Sequence, residues 1–191
     1  MKRLLFLWLL LFITIFKAQD LPDGFVYLYD IDPSIKSELR YFSTDNFIGK
    51  PIDGYLKNCV IVTKETANAL HKVQQELLKK GYSLKIYDAY RPQQAVDHFV
   101  RWARVLNDTL MKQEYYPNVP KSELFQRGYI ASKSGHTRGS TIDLTIISIK
   151  TGKELDMGSP YDFFGIQSHP LFNEISIKSK KENRMVGFVK L

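Results

Sequence analysis

The chain has 191 residues, of which 44% are hydrophobic and 25% are charged. This is the composition of a folded globular protein with a sizeable core, and it excludes a disordered chain. The formal net charge is +7, but no basic run is interleaved with aromatic residues, so no nucleic-acid partner is expected. Cys59 is the only cysteine, which excludes an intrachain disulfide.

The first nineteen residues have the plan of a secretory signal. Two basic residues precede an apolar run from Leu4 to Phe16, and the chain then turns polar. This run is too short for a comfortable membrane span. We therefore expect a signal peptide over 1–19, an exported protein that is periplasmic or secreted, and no stable membrane partner beyond that signal. An uncleaved N-terminal anchor is the alternative, because Phe16 or Lys17 would stand where a small residue is preferred.

The chain after this signal carries a mild positive charge. Without the three basic residues of the signal, 24 basic and 20 acidic residues remain, and the net charge is +4. We expect residues 20–191 to form one domain.

The sequence of the first half of this domain predicts two strands and one long helix. The alternating stretch GFVYLYDID (24–32) predicts a strand. The stretch CVIV (59–62) predicts a short buried strand, in which Cys59 is a small hydrophobic residue rather than a nucleophile. A helix follows, capped by Thr63 and ended by Gly81. Its buried stripe is expected to consist of Leu70, Val73 and Leu77.

The second half begins with a strand that leads directly into a helix. YSLKIYDAY (82–90) predicts the strand, whose end delivers Asp88 and Arg91, and Pro92 predicts the first position of the helix. The buried face of this helix is expected to consist of Val96, Phe99, Ala103 and Leu106. Residues 107–131 have an irregular pattern. Helices grouped around a few strands, with hairpin-type turns, indicate an α+β fold rather than alternating α/β.

The stretch SKSGHTRGSTIDLTI (132–146) places a histidine and an aspartate so that both face one point. Alternation along the last predicted strand, 141–149, puts Asp143 on a polar face with threonines. Gly139 permits a tight reversal that would bring His136 back over this face. Imidazole and carboxylate together suit zinc. From spacing alone, a His–Asp ion pair that closes a loop is an equally open interpretation.

Arg91 also has two interpretations. Because it stands between a strand end and Pro92, its guanidinium is suited to stabilising a developing oxyanion. A surface salt bridge is the alternative, and the local sequence does not decide between them.

Four stretches occur in an order typical of one enzyme family. They are DNFIGKPIDGY, YDAYRPQQAVDHFVRW, YYPNVPKSELFQRGYIASKSGHTRGSTIDLTI and TGKELDMGSPYDFF. From about Tyr41 to His169 they closely resemble the D-alanyl-D-alanine dipeptidases, the VanX-type branch of the zinc DD-peptidases. The family motif S-x-H-x-x-G-x-A-x-D is matched except at Thr141, where alanine is usual. The resemblance implies a hedgehog-like α+β domain, in which a small antiparallel sheet with flanking helices carries zinc in a cleft.

The resemblance also implies the chemistry of the site. His136 and Asp143 would be ligands of the Zn²⁺ cofactor, and Arg91 would stabilise the tetrahedral transition state. The implied reaction is zinc-assisted hydrolysis of D-alanyl-D-alanine in cell-wall peptide metabolism. In that reaction a glutamate takes and returns the proton of the attacking water.

The same resemblance implies how the substrate, D-alanyl-D-alanine or a related wall peptide, is held. Ser134 and Asp162 would bind its free ammonium group, a role that suits the charge of the carboxylate. Tyr41 falls where the family has a tyrosine near the substrate.

The family's general base and third zinc ligand lie in a C-terminal E-x-W-H element, for which this chain has no match. No tryptophan follows Trp102 and no histidine follows His169. We therefore expect residues 20–191 to be a C-terminally truncated dipeptidase domain that supplies neither residue. His169 is a weaker candidate for a replacement ligand, and His98 is expected to be exposed on its helix.

Three functions stay open on this basis. The chain is a truncated copy of an active dipeptidase, a non-catalytic binder of peptidoglycan fragments or degenerate remnant, or a D,D-carboxypeptidase or endopeptidase acting on wall peptides. The nearly complete upstream motifs favour the first function, with this chain as written expected to be impaired.

Overall fold

The computed structural model describes residues 21–169. The predicted signal at 1–19 and the residues after His169 lie outside the described residues, so export stays a prediction. Within 21–169, the helices are too short or too polar to cross a membrane. The described part has the mixed α+β content that the sequence predicts.

Two small sheets form the β part. Strand β1 (Phe25–Tyr27) pairs antiparallel with β3 (Ile61–Thr63). The second sheet has the order β2 (Lys36–Ser37), β4 (Tyr82–Asp88), β5 (Asp143–Ser148), and β4 and β5 are antiparallel. The prediction of an antiparallel sheet is wrong for β2, which runs parallel to β4. The long connection between these two strands, which includes a helix, returns the chain in the same direction.

The register of β4 against β5 shifts by one residue at one end of the sheet. Ile86 lies opposite Leu144, but Asp88 rather than Tyr87 lies opposite Asp143. Such a bulge re-aims a side chain at the end of a strand pair. As a result, two carboxylates meet at this end of the sheet.

The first predicted strand is shorter than expected. After β1, one helical turn, α1 (Leu28–Ile31), replaces the rest of it. The backbone N–H of Asp32 closes this turn by donating to the carbonyl of Leu28 at 2.9 Å, and the Asp32 carboxylate then accepts hydrogen bonds from the backbone N–H and the hydroxyl of Ser34 at 3.0 and 2.5 Å. Cys59 is half-buried rather than buried, because it lies two residues before β3 begins. Burial still raises the pKa of its thiol, which keeps it a poor nucleophile.

The two long helices begin close to their predicted starts. Helix α2 (Lys64–Lys79) follows Thr63, whose Oγ1 accepts a hydrogen bond from the backbone N–H of Thr66 at 3.3 Å. Helix α3 (Gln93–Arg104) begins one residue later than predicted, because Pro92 is its N-cap and not its first residue. The segment predicted to be irregular contains one further short helix, α4 (Lys112–Tyr115).

The predicted buried faces of the helices hold except at one position. The residues confirmed as buried are Leu70, Leu77, Val96, Phe99 and Ala103. Val73 is partly buried against the same cluster as Leu70. The prediction that Leu106 is buried is wrong, because α3 ends at Arg104 and Leu106, which lies beyond this end, is 56% exposed.

Two hydrophobic clusters support one end of the second sheet. An aliphatic cluster between α2 and the sheets includes Leu70, Leu84, Ile86 and Ala89. An aromatic cluster around α3 includes Tyr41, Phe47, Phe99, Trp102 and Phe164. Asp88 at the end of β4 lies between them, since its strand belongs to the first cluster and its partner Arg91 stacks on the second.

Lys121 closes the end of α3. Its Nζ donates to the carbonyl oxygens of Val105 and Asp108 at 2.8 and 2.5 Å, and lies 3.9 Å from the centroid of the Trp102 ring.

We expect Lys121→Met to lower the free energy of unfolding by about 2–4 kcal/mol, because two charge-assisted hydrogen bonds and a cation–π contact are lost. Urea unfolding measures this change. Lys72→Met, at an exposed position of α2, is the control and should change stability by less than about 0.5 kcal/mol; equal losses in both variants would contradict the prediction.

Candidate active site

The candidate site joins the end of β4 to the turn before β5. Arg91 follows β4 by three residues, and its backbone N–H donates to the carbonyl of His136 at 3.2 Å. The backbone N–H of Thr63 donates to the carbonyl of Gly139 at 3.0 Å. The turn that carries His136 is therefore tied to both sheets.

His136 lies in a short 3-10 turn, Gly135–Arg138, that ends at Gly139. Gly139 has φ +69°, and a Cβ at this position would come within 2.4 Å of the Phe25 ring. Only glycine fits such a reversal without displacing its neighbour. The predicted reversal at Gly139 is confirmed, and it brings the buried side chain of His136 over the start of β5.

The hydrogen bonds of His136 orient its ring. Nδ1 lies 2.9 Å from the carbonyl oxygen of Ala89. A carbonyl only accepts, so Nδ1 carries the proton and the lone pair of the neutral ring is on Nε2. Nε2 lies 3.4 Å from Oδ1 of Asp143. Burial alone would lower the pKa of His136, but Asp143 outweighs this effect and the net shift is upward.

These two side chains fit a zinc ion. Tetrahedral zinc ligands at about 2.1 Å from the metal are about 3.4 Å apart, which matches the separation of His136 Nε2 and Asp143 Oδ1. A ring whose other nitrogen donates to a backbone carbonyl is the usual form of a histidine ligand. The alternative of a simple ion pair does not require this orientation. The prediction that His136 and Asp143 meet is confirmed, while their role as ligands stays a prediction.

Asp88 is the residue that sequence reasoning missed. Within 21–169, one group of side chains could hold a metal, and we call it the metal-competent group. It consists of Asp88, His136 and Asp143, whose ligand atoms lie within 4.8 Å of one another. Asp88 is fully buried. Its only signal in the sequence is a carboxylate at a strand end, three residues before Arg91. The bulge that turns it toward Asp143 has no such signal.

Arg91 lies between two carboxylates and is mostly buried. Its Nη2 lies 2.8 Å from Oδ2 of Asp88 and 3.3 Å from Oδ2 of Asp143, and its side chain is 13% exposed. The guanidinium also stacks over the rings of Tyr41 and Phe99, at 5.1 and 5.3 Å from their centroids. The interpretation of Arg91 as a surface salt bridge is therefore wrong, because desolvation and two aromatic faces hold it inside the site.

Tyr41 and Asp162 meet on the aromatic side of the site. The Tyr41 hydroxyl donates to Oδ2 of Asp162 at 2.5 Å. Asp162 has φ 54°, a left-handed conformation that is uncommon for residues other than glycine. Next to it, the hydroxyl of Tyr161 lies 3.4 Å from Oδ2 of Asp143, and its ring stacks on Tyr87 with centroids 4.5 Å apart. Tyr41 and Asp162, two of the three predicted substrate residues, thus lie around the same carboxylates as Arg91.

The site carries more negative than positive groups. Burial raises the pKa of Asp162 to about 7, the Tyr41 hydrogen bond opposes this shift, and Asp143 adds to it by repulsion. Burial also raises the pKa of Asp88, and Arg91 opposes that shift. A cation placed among these carboxylates would relieve their repulsion. The electrostatics therefore favour a metal ion and an ammonium group as occupants.

Ser134, His169 and His98 each have different surroundings. The Oγ of Ser134 accepts a hydrogen bond from the backbone N–H of His136 at 3.2 Å, so it caps the turn that holds the ring. His169 is exposed, and its Nε2 lies 2.9 Å from the Tyr129 hydroxyl, outside the metal-competent group. His98 is not exposed as predicted. It is half-buried, because its Nδ1 accepts a hydrogen bond from the backbone N–H of Asp53 at 3.1 Å.

Comparisons with known proteins show the family to which the chain is similar. The Peptidase_M15 family model, described as D-ala-D-ala dipeptidase, matches residues 22–187. A D-alanyl-D-alanine dipeptidase of Enterococcus faecalis is 45% identical over 149 residues, which are 78% of this chain and 74% of that protein. Proteins of the same name from Enterococcus faecium and Streptomyces coelicolor are each 41% identical. The first match spans 161 residues, 84% of this chain and 80% of that protein. The second spans 145 residues, 76% and 72% respectively.

Proposed function

The chain belongs to the Peptidase_M15 family, described as D-ala-D-ala dipeptidase, and from this premise we propose that its function is zinc-dependent hydrolysis of D-alanyl-D-alanine. The observation that carries the proposal is the 3.4 Å separation of His136 Nε2 and Asp143 Oδ1. Arg91 lies beside this pair with its charge already desolvated. The fold that we assign is the zinc DD-peptidase type, which the two small sheets and the flanking helices support.

His136, Asp143 and Arg91 each have a defined role in this proposal. His136 and Asp143 would hold zinc through Nε2 and Oδ1. Zinc, when bound, supplies Lewis-acid chemistry and activates water for attack on a peptide carbonyl. The guanidinium of Arg91 would donate to the oxygen on which negative charge develops, and its fixed position avoids reorganisation during the reaction.

The other side of the site would bind the ammonium group of the dipeptide. Asp162 offers a carboxylate, which the Tyr41 hydroxyl holds at 2.5 Å. Ser134 offers a hydroxyl next to His136. A requirement for a free ammonium group selects a dipeptide over a longer wall peptide, whose corresponding nitrogen is an uncharged amide.

Selectivity for the free ammonium group tests the proposal. We expect D-alanyl-D-alanine to bind about 10–100-fold more tightly than its N-acetyl derivative, because only the first makes charge-assisted hydrogen bonds to Asp162. Asp162→Asn should reduce this preference to within about threefold. Isothermal titration at pH 7.5 measures both ligands, because this pH lies between the pKa of about 7 of Asp162 and the pKa of about 8 of a free α-amino group, so that carboxylate and ammonium are both mostly charged.

Asp97→Asn is the matched control, since this aspartate is exposed on α3. The control should keep the full preference for the free dipeptide. Tighter binding of the N-acetyl derivative to the wild-type chain would contradict the dipeptidase proposal and would favour a D,D-carboxypeptidase or endopeptidase.

The proposal assigns no general base and no third zinc ligand. Of the three side chains within 21–169 that could hold a metal, the proposal uses two, His136 and Asp143, and the family's E-x-W-H pattern does not occur in the 191 residues. We therefore propose that the chain as written is impaired as a catalyst. This lack is also the observation that favours a second candidate function, the non-catalytic binding of wall-peptide fragments. In either case we propose an exported, periplasmic or secreted location, on the basis of the N-terminal segment.

A further inference from the structure

Asp88 has contacts that the proposed function does not use. Its carboxylate is fully buried at the bulge of β4. Oδ1 accepts a hydrogen bond from the Tyr55 hydroxyl at 2.6 Å. Oδ2 accepts from Nε of Arg91 at 2.9 Å and lies 2.8 Å from its Nη2. A buried carboxylate with three close donors is strongly held in one position.

These contacts argue against Asp88 as a metal ligand, although it belongs to the metal-competent group. Both of its oxygens are engaged by donors from the protein. Its Oδ2 lies 3.4 Å from Nδ1 of His136, the nitrogen that carries the proton, whereas Asp143 faces Nε2. The two ring nitrogens point in diverging directions. A metal at Nε2 therefore lies on the side of the ring away from Asp88.

The distances also show what Asp88 does to Arg91. The guanidinium is closer to Asp88, at 2.8–2.9 Å, than to Asp143, at 3.3 Å. Arg91 already donates a long hydrogen bond to Oδ2 of Asp143, and without the charge of Asp88 it would pair more closely with Asp143, whose carboxylate would then be shared between an arginine and the metal. Competition of this kind weakens metal binding, since the ligand must be released first.

The loop that carries Tyr55 is built to reach Asp88. Gly54 has φ +88°, and a Cβ there would come within 2.7 Å of Pro92. The loop therefore packs directly on the residue that precedes α3, next to Arg91. This close approach places the Tyr55 hydroxyl on Oδ1 of Asp88.

We propose that Asp88 is a positioning residue, which limits the pairing of Arg91 with Asp143 and favours the His136 tautomer that is protonated on Nδ1 and presents Nε2, with Tyr55 as its outer hydrogen-bond donor. The inference rests on the proposed metal site of His136 and Asp143. It assigns to Asp88 a role that acts only through Arg91 and His136 and not by contact with metal or substrate.

Cobalt binding and nuclear magnetic resonance of the full chain test this proposal together. Asp88→Asn should lower the affinity for Co²⁺ by about 10–100-fold, the range expected when an outer partner of a metal ligand is lost. It should also speed the exchange of the Arg91 Nε–H with water by at least about tenfold, because that proton loses its charged acceptor. In the wild-type protein, nitrogen chemical shifts should show the proton of His136 on Nδ1.

Asp32→Asn is the matched control. Asp32 is also buried and hydrogen-bonded, to Ser34 and His71, but it is not part of the metal-competent group. The control should leave Co²⁺ affinity and the Arg91 exchange rate within about twofold of the wild type. Tyr55→Phe removes only the outer donor and should shift both quantities in the same direction as Asp88→Asn, by about three- to tenfold. This milder variant decides the question if Asp88→Asn does not fold.

Three results would overturn the inference. The first is an unchanged Co²⁺ affinity and Arg91 exchange rate in Asp88→Asn, or in Tyr55→Phe if only that variant folds. The second is a loss of Co²⁺ binding as large as that of His136→Ala, with a changed visible spectrum of any remaining complex, which would make Asp88 a ligand. The third is a wild-type His136 protonated on Nε2. The proposed metal site itself fails on a different result, namely Co²⁺ binding that survives both His136→Ala and Asp143→Ala.

Discussion

His136→Ala is expected to weaken the binding of Zn²⁺ and Co²⁺ by more than about 100-fold. The loss of an outer partner of a ligand costs roughly 10–100-fold, and the loss of a ligand atom itself costs more. His136 supplies the nitrogen atom of the proposed pair, at 3.4 Å from Asp143 Oδ1. Competition with a chromophoric chelator measures the affinity, and the visible spectrum of the cobalt form reports the coordination.

His71→Ala is the matched control for this experiment. His71 lies on α2 at a half-exposed position, where its Nδ1 contacts Asp32 at 2.8 Å. It lies outside the metal-competent group, so the affinity should remain within about twofold of the wild type. An unchanged affinity in His136→Ala would show that the metal binds elsewhere, and the proposed function would lose its central observation.

The polypeptide of residues 20–191 is expected to release no D-alanine from D-alanyl-D-alanine above the buffer rate. In a hydrolytic site the base and the metal act as a unit, so a chain that supplies neither the third ligand nor the base, as we propose, loses about three or more orders of magnitude in rate. A coupled assay with a D-amino-acid oxidase measures the release. We expect this result even at zinc concentrations high enough to fill a weak two-ligand site.

Substantial turnover would contradict this expectation, provided that a chelator and His136→Ala both abolish it. Turnover with those properties would mean that another residue supplies the base and the third ligand. Sequencing the DNA beyond the Leu191 codon gives an independent check. An E-x-W-H run in another reading frame would support the origin of the chain as a copy of an active dipeptidase.

The local signals in the sequence predicted the elements that carry the site. Thr63 caps α2, and alternation along β5 sends Asp143 and Thr145 to the face opposite Leu144 and Ile146. Gly139 reverses the chain. Each signal is carried by residues within one turn or one strand of the feature it produces, so no knowledge of distant partners is needed. The same holds for the buried face of α3.

Errors arose where a distant partner decides the outcome. The strand after Gly24 ends early because Asp32 turns the chain onto α2, where His71 and Gln75 also contact its carboxylate. Strand β2 is parallel to β4 because of the path of the chain between them. His98 is half-buried because the Asp53 loop folds back on α3. None of these contacts is visible from residues nearby in the sequence.

For this protein, the sequence by itself determined the order of its elements, the meeting of His136 with Asp143, and the family resemblance, because these depend on short-range geometry and on the spacing of residues within motifs. Only the tertiary structure decided the environment of the site. The one-residue shift between β4 and β5 places Asp88 beside Asp143, and the rings of Tyr41 and Phe99 in the aromatic cluster cover Arg91. Cross-strand register and burial depend on every element that packs around the ends of β4 and β5, and so no single stretch of sequence encodes them.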